Sequence, residues 1–259
     1  MNLDLTNKVY IVTGGAKGIG AAICRLIAAE GGIVVVVGRG KEDNIKIVDE
    51  IIKAGGRASY VTAELSAAEA CREVINFAAD KYGRIDGLVN NAGLNDGVGL
   101  ENGSPEKFFQ SLQKNLSHYY NLAHYALPYL KKTKGNIVNI GSKVALTGQG
   151  NTSGYAASKG AINGLTREWA VELLPYSIRV NTVLPAEVWT PLYEGWINSL
   201  PNPKEKLEQI ISKIPFEKRM TTAEEIANTT VFLLSERSSH TTGQILVVDG
   251  GYTHLDRSL

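Results

Sequence analysis

Tyr155 and Lys159 stand four residues apart in the run Tyr155-Ala156-Ala157-Ser158-Lys159, a spacing that on a helix projects both side chains from one face. An ammonium beside a phenol favours the phenolate. The ordinary Tyr pKa of ~10 then falls toward the range of a general acid or base that works near neutrality. Ser142, upstream of the pair, offers a hydroxyl to the same substrate oxygen. A Tyr-x-x-x-Lys spacing also occurs on plain solvated helix faces, so its meaning depends on the elements that position it.

The first of these elements is a glycine turn. Thr13-Gly14-Gly15-Ala16-Lys17-Gly18-Ile19-Gly20 follows the apolar run Val9 to Thr13 and opens a segment of helical period. Gly14, Gly18 and Gly20 let the backbone bend sharply and approach a pyrophosphate, which the free N–H groups and positive dipole end of the helix at Ile19 then hold. The spacing is Gly-x-x-x-Gly-x-Gly and not Gly-x-Gly-x-x-Gly. Its place between a first strand and a helix still marks a nucleotide site. An NAD site usually has an acid at the end of the second strand to take the ribose 2′-hydroxyl. Here the strand ends Val37-Gly38-Arg39, and Lys17 adds a second cation. With no carboxylate in view, the expected cofactor is NADP, with NAD possible.

Short apolar runs alternate with helical ones along the rest of the chain. Strands are expected at Val9 to Thr13, Ile33 to Val37, Ala58 to Thr62, Gly87 to Asn90, Asn136 to Ile140, Ile178 to Leu184 and Gln244 to Val248, all parallel and buried on both faces. Helices are expected near 18 to 30, 43 to 54, 67 to 82, 105 to 131, 153 to 174 and 223 to 235. The pattern is α/β: a single-domain Rossmann-type doubly wound sheet of seven parallel strands over residues 1–259, with helices on both faces. Glu187 to Met220, rich in Trp, Tyr, Leu and Pro, is long for a connection and is expected to be a substrate lid.

Composition narrows the classes. The chain has 259 residues, 44% hydrophobic, with a net charge of +1, enough for one large covered sheet and without the basic face that nucleic acid requires. Cys24 and Cys71 have no C-x-x-C neighbour, and the four histidines lack metal spacing, so neither a disulfide framework nor a metal site is expected. No basic-then-apolar leader and no apolar run near the ~20 residues of a membrane span is present, which leads us to expect a cytoplasmic protein that does not enter a membrane.

Taken in order, the glycine turn at 14 to 20, Asn90-Asn91-Ala92-Gly93, Asn115, Ser142 and Tyr155 with Lys159 resemble the short-chain dehydrogenase/reductase family over essentially the whole chain. The resemblance implies that Tyr155 is the acid/base, that Ser142 orients the substrate oxygen, that Lys159 holds the nicotinamide ribose and lowers the Tyr pKa, and that Asn115 sustains a water in a proton relay. It places Asn91, Ala92 and Gly93 on the cofactor, Glu64 and Leu65 at the adenine, and Val188 and Thr190 at the nicotinamide amide. Pro185-Ala186 departs from the family's Pro-Gly, and Glu64 stands where the family has Asp. A homotetramer, with the helices at 105 to 131 and 153 to 174 paired between subunits, is also implied.

The loops around the substrate position are polar. Asn95, Asp96, Gln149, Asn151 and Glu187 are the expected substrate groups, a set suited to a ligand with several hydroxyls and poorly suited to a steroid or acyl chain. Trp189, Tyr193 and Trp196 either stack on a sugar face or pin the lid; Trp196 is taken as a substrate residue. The segments 90 to 97, 148 to 155, 185 to 193 and 249 to 257 look like those of bacterial L-fucose dehydrogenases. That resemblance implies oxidation of the C1 hydroxyl of an aldose of the L-fucose, D-arabinose or L-galactose type to the lactone, and leaves 3-oxoacyl or other ketone reduction, and an inactive nucleotide sensor, as alternatives. His254, in the tail, is expected to approach a neighbouring subunit's site.

Overall fold

The computed structural model describes residues 3–255. Asp256 and Arg257 of the tail motif lie outside the described residues. Seven parallel strands run β1 (Val9–Thr13), β2 (Ile33–Gly38), β3 (Arg57–Thr62), β4 (Gly87–Asn90), β5 (Asn136–Ile140), β6 (Arg179–Pro185) and β7 (Ile245–Val248) in the order β3-β2-β1-β4-β5-β6-β7. Between and after them come α1 (Gly18–Ala29), α2 (Lys41–Lys53), α3 (Ala68–Tyr82), α4 (Pro105–Leu112), α5 (His118–Thr133), α6 (Ser153–Glu172), α7 (Pro191–Asn198), α8 (Pro203–Ser212) and α9 (Ala223–Leu234).

Strand alternation divides the core. Tyr10, Val12, Val34 and Val36 point to the side where Ile23 and Ile27 of α1 meet Val231 and Leu234 of α9. Val9, Ile11, Val35 and Val37 point to the other, against Val74 and Ile75 of α3, Tyr119 and Leu122 of α5 and Ile162 of α6. The period of two along each strand is what lets one sheet carry two helical layers. The chain reverses its direction of strand addition between β1 and β4, which pair through Tyr10↔Gly87, Ile11↔Leu88 and Val12↔Val89. A crevice opens beyond the carboxyl ends of strands at such a reversal.

Two expectations need correction, and one segment gains detail. The edge strands β3 and β7 are only partly buried, since an edge has a covering neighbour on one side alone. The expected helix at 105 to 131 is two helices joined by a π-turn at Gln113–Ser117. The excursion from Glu187 holds α7 and α8. Thr190 caps α7 by accepting from the Tyr193 N–H at 3.2 Å, and Pro occupies the first turn of both helices, where its missing N–H costs nothing.

Candidate active site

Ser142 leaves the end of β5 and Tyr155 and Lys159 rise from α6, so one strand end and one helix face supply the reacting hydroxyls to a cleft of ≈ 540 Å³. A hydrogen bond from Ser142 lowers the Tyr155 pKa, but burial outweighs it and pushes the phenol up to about 12. The expected drop is therefore corrected in this state. Lys159 is engaged elsewhere: its Nζ donates to the Ile140 carbonyl at 2.8 Å and to Tyr119 Oη at 3.1 Å, and stands 5.5 Å from the Tyr155 ring centre. Burial brings Lys159 itself down to about 7, because an ammonium away from water is costly.

Asn115 sits buried in the π-turn. Its Oδ1 accepts from the Leu94 N–H at 2.7 Å, and its Nδ2 donates to the Ser111 carbonyl at 3.1 Å. π-Turns recur where a helix must present a group at a functional site; here the turn ties α4 and α5 to the loop after β4. A Cβ built on Gly93 in that loop would lie 3.3 Å from Asn115 Oδ1 and 3.6 Å from Lys159 Nζ.

The glycine turn forms the floor of the cleft. Gly14 and Gly18 have φ of +62° and +53°, the left-handed region that favours glycine. Gly20 lies behind the turn, where a Cβ would fall 2.1 Å from the Gly14 carbonyl oxygen. Thr13 Oγ1 accepts from the N–H groups of Asn91 at 2.9 Å and Ala92 at 3.0 Å, and Asn91 Nδ2 donates to the Thr13 carbonyl at 2.8 Å. Lys17, at the N-cap of α1, makes no side-chain cap bond, so the first N–H groups of the helix are not taken by a side chain there. Ile19, Val188 and Thr190 complete the walls. A second hollow of ≈ 400 Å³ shares Gly14, Ala92 and Gly93 with the first and is bounded by Arg39, Glu64 and Leu65. Two hollows joined over a glycine turn at a helix N-terminus fit a dinucleotide, with its pyrophosphate above Gly14 and Gly18.

The charges in this region differ from expectation. Lys17 pairs with Asp43 at 2.8 Å and Arg39 with Glu64 at 3.6 Å. Two carboxylates therefore stand with the two cations, and Glu64 faces Arg39.

The expected substrate set lies outside the cleft lining. Of its members, Glu187 lies beside the cleft, bonded to Lys143 Nζ and accepting from Tyr193 Oη at 2.6 Å. Asn95 accepts from Thr152 Oγ1 at 2.7 Å, and Asp96 accepts from Ser111 Oγ at 2.8 Å, so both serve their own loops. Gln149 is exposed, and Asn151 is exposed with φ +51° in a turn. Trp196 is 44% exposed and meets Tyr193 edge-on at 5.1 Å. Like Glu187, the side chains of Asn95, Asp96, Gln149, Asn151 and Trp196 are absent from the cleft lining; Asn95 and Asp96 satisfy nearby loop partners first, as short polar side chains do. The residues missed are Thr13, Tyr119 and Lys143; Tyr193, expected to stack on a sugar face or pin the lid, lines the cleft. A charge directly after Ser142 at a strand's carboxyl end was the available signal for Lys143. His254 is exposed. Among the described residues no group of three His, Cys, Asp or Glu side chains is placed to hold a metal ion.

Residues 14–253 match the family model described as enoyl-(acyl carrier protein) reductase. The chain is 36% identical to the 3-oxoacyl-(acyl-carrier-protein) reductase FabG of Thermotoga maritima, over 96% of this chain and 99% of that protein. It is 34% identical to the L-fucose dehydrogenase of Bos taurus, over 97% and 91%. Among solved structures, the Cj0485 dehydrogenase superposes with a TM-score of 0.94 at 49% identity, covering 100% of this chain and 99% of that one. Levodione reductase gives 0.92 at 30%, covering 97% and 100%.

Proposed function

This chain belongs to the short-chain dehydrogenase/reductase family, and we propose that it oxidises the C1 hydroxyl of an aldose of the L-fucose, D-arabinose or L-galactose type to the lactone. The observation that carries the substrate class is the largely buried Lys143–Glu187 pair, whose Glu187 holds Tyr193 in the cleft lining with Ser142. An acyl chain gains little against such a wall, whereas a hydroxylated ring finds partners there. The L-fucose dehydrogenase relatives support the same class.

When bound, the nicotinamide of NAD(P) supplies a hydride acceptor at its C4. Gly14, Lys17, Gly18, Ile19, Asn91, Ala92, Gly93, Val188 and Thr190 hold its central and nicotinamide portions; Arg39, Glu64 and Leu65 border the adenosine. Arg39 and Lys17 favour NADP, while Asp43 and Glu64 repel a 2′-phosphate and keep that preference small. Ser142 holds the reacting oxygen, and Tyr155 takes its proton as the C1–H bond breaks and the C=O bond forms. Lys159 orients the ribose and, in its protonated form, favours the phenolate against the burial that pushes Tyr155 up. Asn115 fixes the Gly93–Leu94 backbone across from Lys159 and sustains the water of a proton relay. Positioned proton transfer of this kind contributes ~10²- to 10⁴-fold.

The protein works as a homotetramer in a reducing compartment such as the cytoplasm. Supporting the first is exposed apolar surface on α4, α5 and α6 at Phe109, Tyr120 and Val171; supporting the second are the two free, buried cysteines.

A second reading is 3-oxoacyl reduction. FabG is as similar as the sugar enzymes, and exposed Leu192 gives the cleft lining an apolar side chain. Turnover of L-fucose, D-arabinose and an acetoacetyl thioester with each cofactor decides between them. We expect aldose oxidation with both cofactors and faster turnover with NADP; turnover of the thioester alone would refute the sugar reading.

A further inference from the structure

Lys143, Glu187, Tyr193 and Tyr252 come from four segments: the loop after β5, the end of β6, α7 and the C-terminal tail. They converge beside the cleft that Ser142 and Tyr155 line, and Tyr193 lines it with them. The Glu187 carboxylate is engaged at both oxygens, by Lys143 at Oε1 and by Tyr193 Oη at Oε2, the latter at 2.6 Å. The Lys143 ammonium also lies 4.2 Å from the centre of the Tyr252 ring. The side chains of the ion pair are 11% and 12% exposed. A carboxylate paired this closely with an ammonium stays ionised, and an ionised carboxylate only accepts.

The direction of the Tyr193 bond is therefore fixed. Its single proton goes to Glu187, and burial together with the nearby Tyr252 pushes its pKa to about 12, so the phenol stays neutral in the working range. What Tyr193 Oη has left to offer is lone pairs.

We propose that Tyr193 is a specificity-determining residue: it accepts a hydrogen bond from a substrate hydroxyl other than the reacting one, in a direction set by Glu187 and Lys143. The proposal rests on the polyhydroxylated substrate class given above. A hydroxyl has a proton to donate to Tyr193. A ketone, ester or thioester oxygen has none and sets lone pair against lone pair, so the same contact that selects a sugar works against an oxoacyl chain.

The test compares kcat/KM for an aldose and each of its monodeoxy counterparts in the wild type, Tyr193→Phe and Glu187→Gln, with circular dichroism to verify folding. In the wild type, removal of one particular hydroxyl is expected to cost on the order of 10-fold, the size of one such hydrogen bond. Tyr193→Phe, which deletes only an oxygen, is expected to treat that pair alike, its own loss on the full aldose appearing in KM more than in kcat. Glu187→Gln, whose amide can donate to Tyr193 Oη, is expected to narrow the same ratio. A ratio unchanged in Tyr193→Phe overturns the proposal. If the wild type turns over no aldose, the sugar reading fails by itself; the Tyr193 claim is then decided by the same ratio on a cyclic ketone with and without a ring hydroxyl.

Discussion

Lys159 is folded into a place that disfavours its own charge. Below about pH 7 it is protonated in both the folded and unfolded chains, and the cost of burying the ammonium is borne in full. Between about 7 and the ordinary 10.5 the folded chain has released the proton while the unfolded chain keeps it, so this group's contribution to stability improves as pH rises through that window. Lys159→Met removes the penalty. It is expected to raise the thermal midpoint relative to wild type more near pH 6 than near pH 9; an equal shift at both would mean that Lys159 is not a buried titrating group. The convergence of Tyr155, Lys159 and Ser142 on one cleft was legible because the three announce themselves by type and spacing. Tyr119 and the Ile140 carbonyl, which hold Lys159, were not: their contact arises where a helix crosses a strand end, and no local spacing encodes it. Asn95 and Asp96 misled for the converse reason, since a polar loop residue reads the same whether it meets a ligand or its own neighbours.

At the scale of elements, periodicity located all seven strands with small shifts at their ends, and hydrogen bonding determined those ends. The π-turn at Gln113–Ser117 was invisible because one widened turn barely disturbs the apolar rhythm of a long helix. α7 and α8 did leave a trace, Thr190-Pro191 and Asn202-Pro203, each a polar residue followed by a helix-initiating proline. The glycine turn makes the most exacting demand on sequence. A methyl on Gly20 would lie 2.1 Å from the Gly14 carbonyl oxygen and 2.8 Å from Asn91 Nδ2. The helix would have to move off the turn. Gly20→Ala is expected to cost about 1–3 kcal/mol of stability, as overpacking does, and to weaken cofactor binding. Unfolding by denaturant and cofactor titration check both; wild-type values for the two would contradict the close packing.

At the scale of the molecule, strand order decides where chemistry happens. The reversal between β1 and β4 opens the crevice, the glycine turn floors it, and β5, α6 and the segment after β6 bring Ser142, Tyr155 and Tyr193 to its walls. No helix among the described residues is long and apolar enough to cross a membrane. Phe109, Tyr120 and Val171 are exposed on the α4–α6 side, the face on which the proposed tetramer would pair its subunits. In the proposed function all of this positions one phenol against one carbon, so the central claim can be tested there. The measurement is the steady-state rate of aldose oxidation by Tyr155→Phe beside its cofactor affinity. The account predicts a fall in kcat of ~10²- to 10⁴-fold with cofactor binding retained. A variant that oxidised the aldose at the wild-type rate would contradict it.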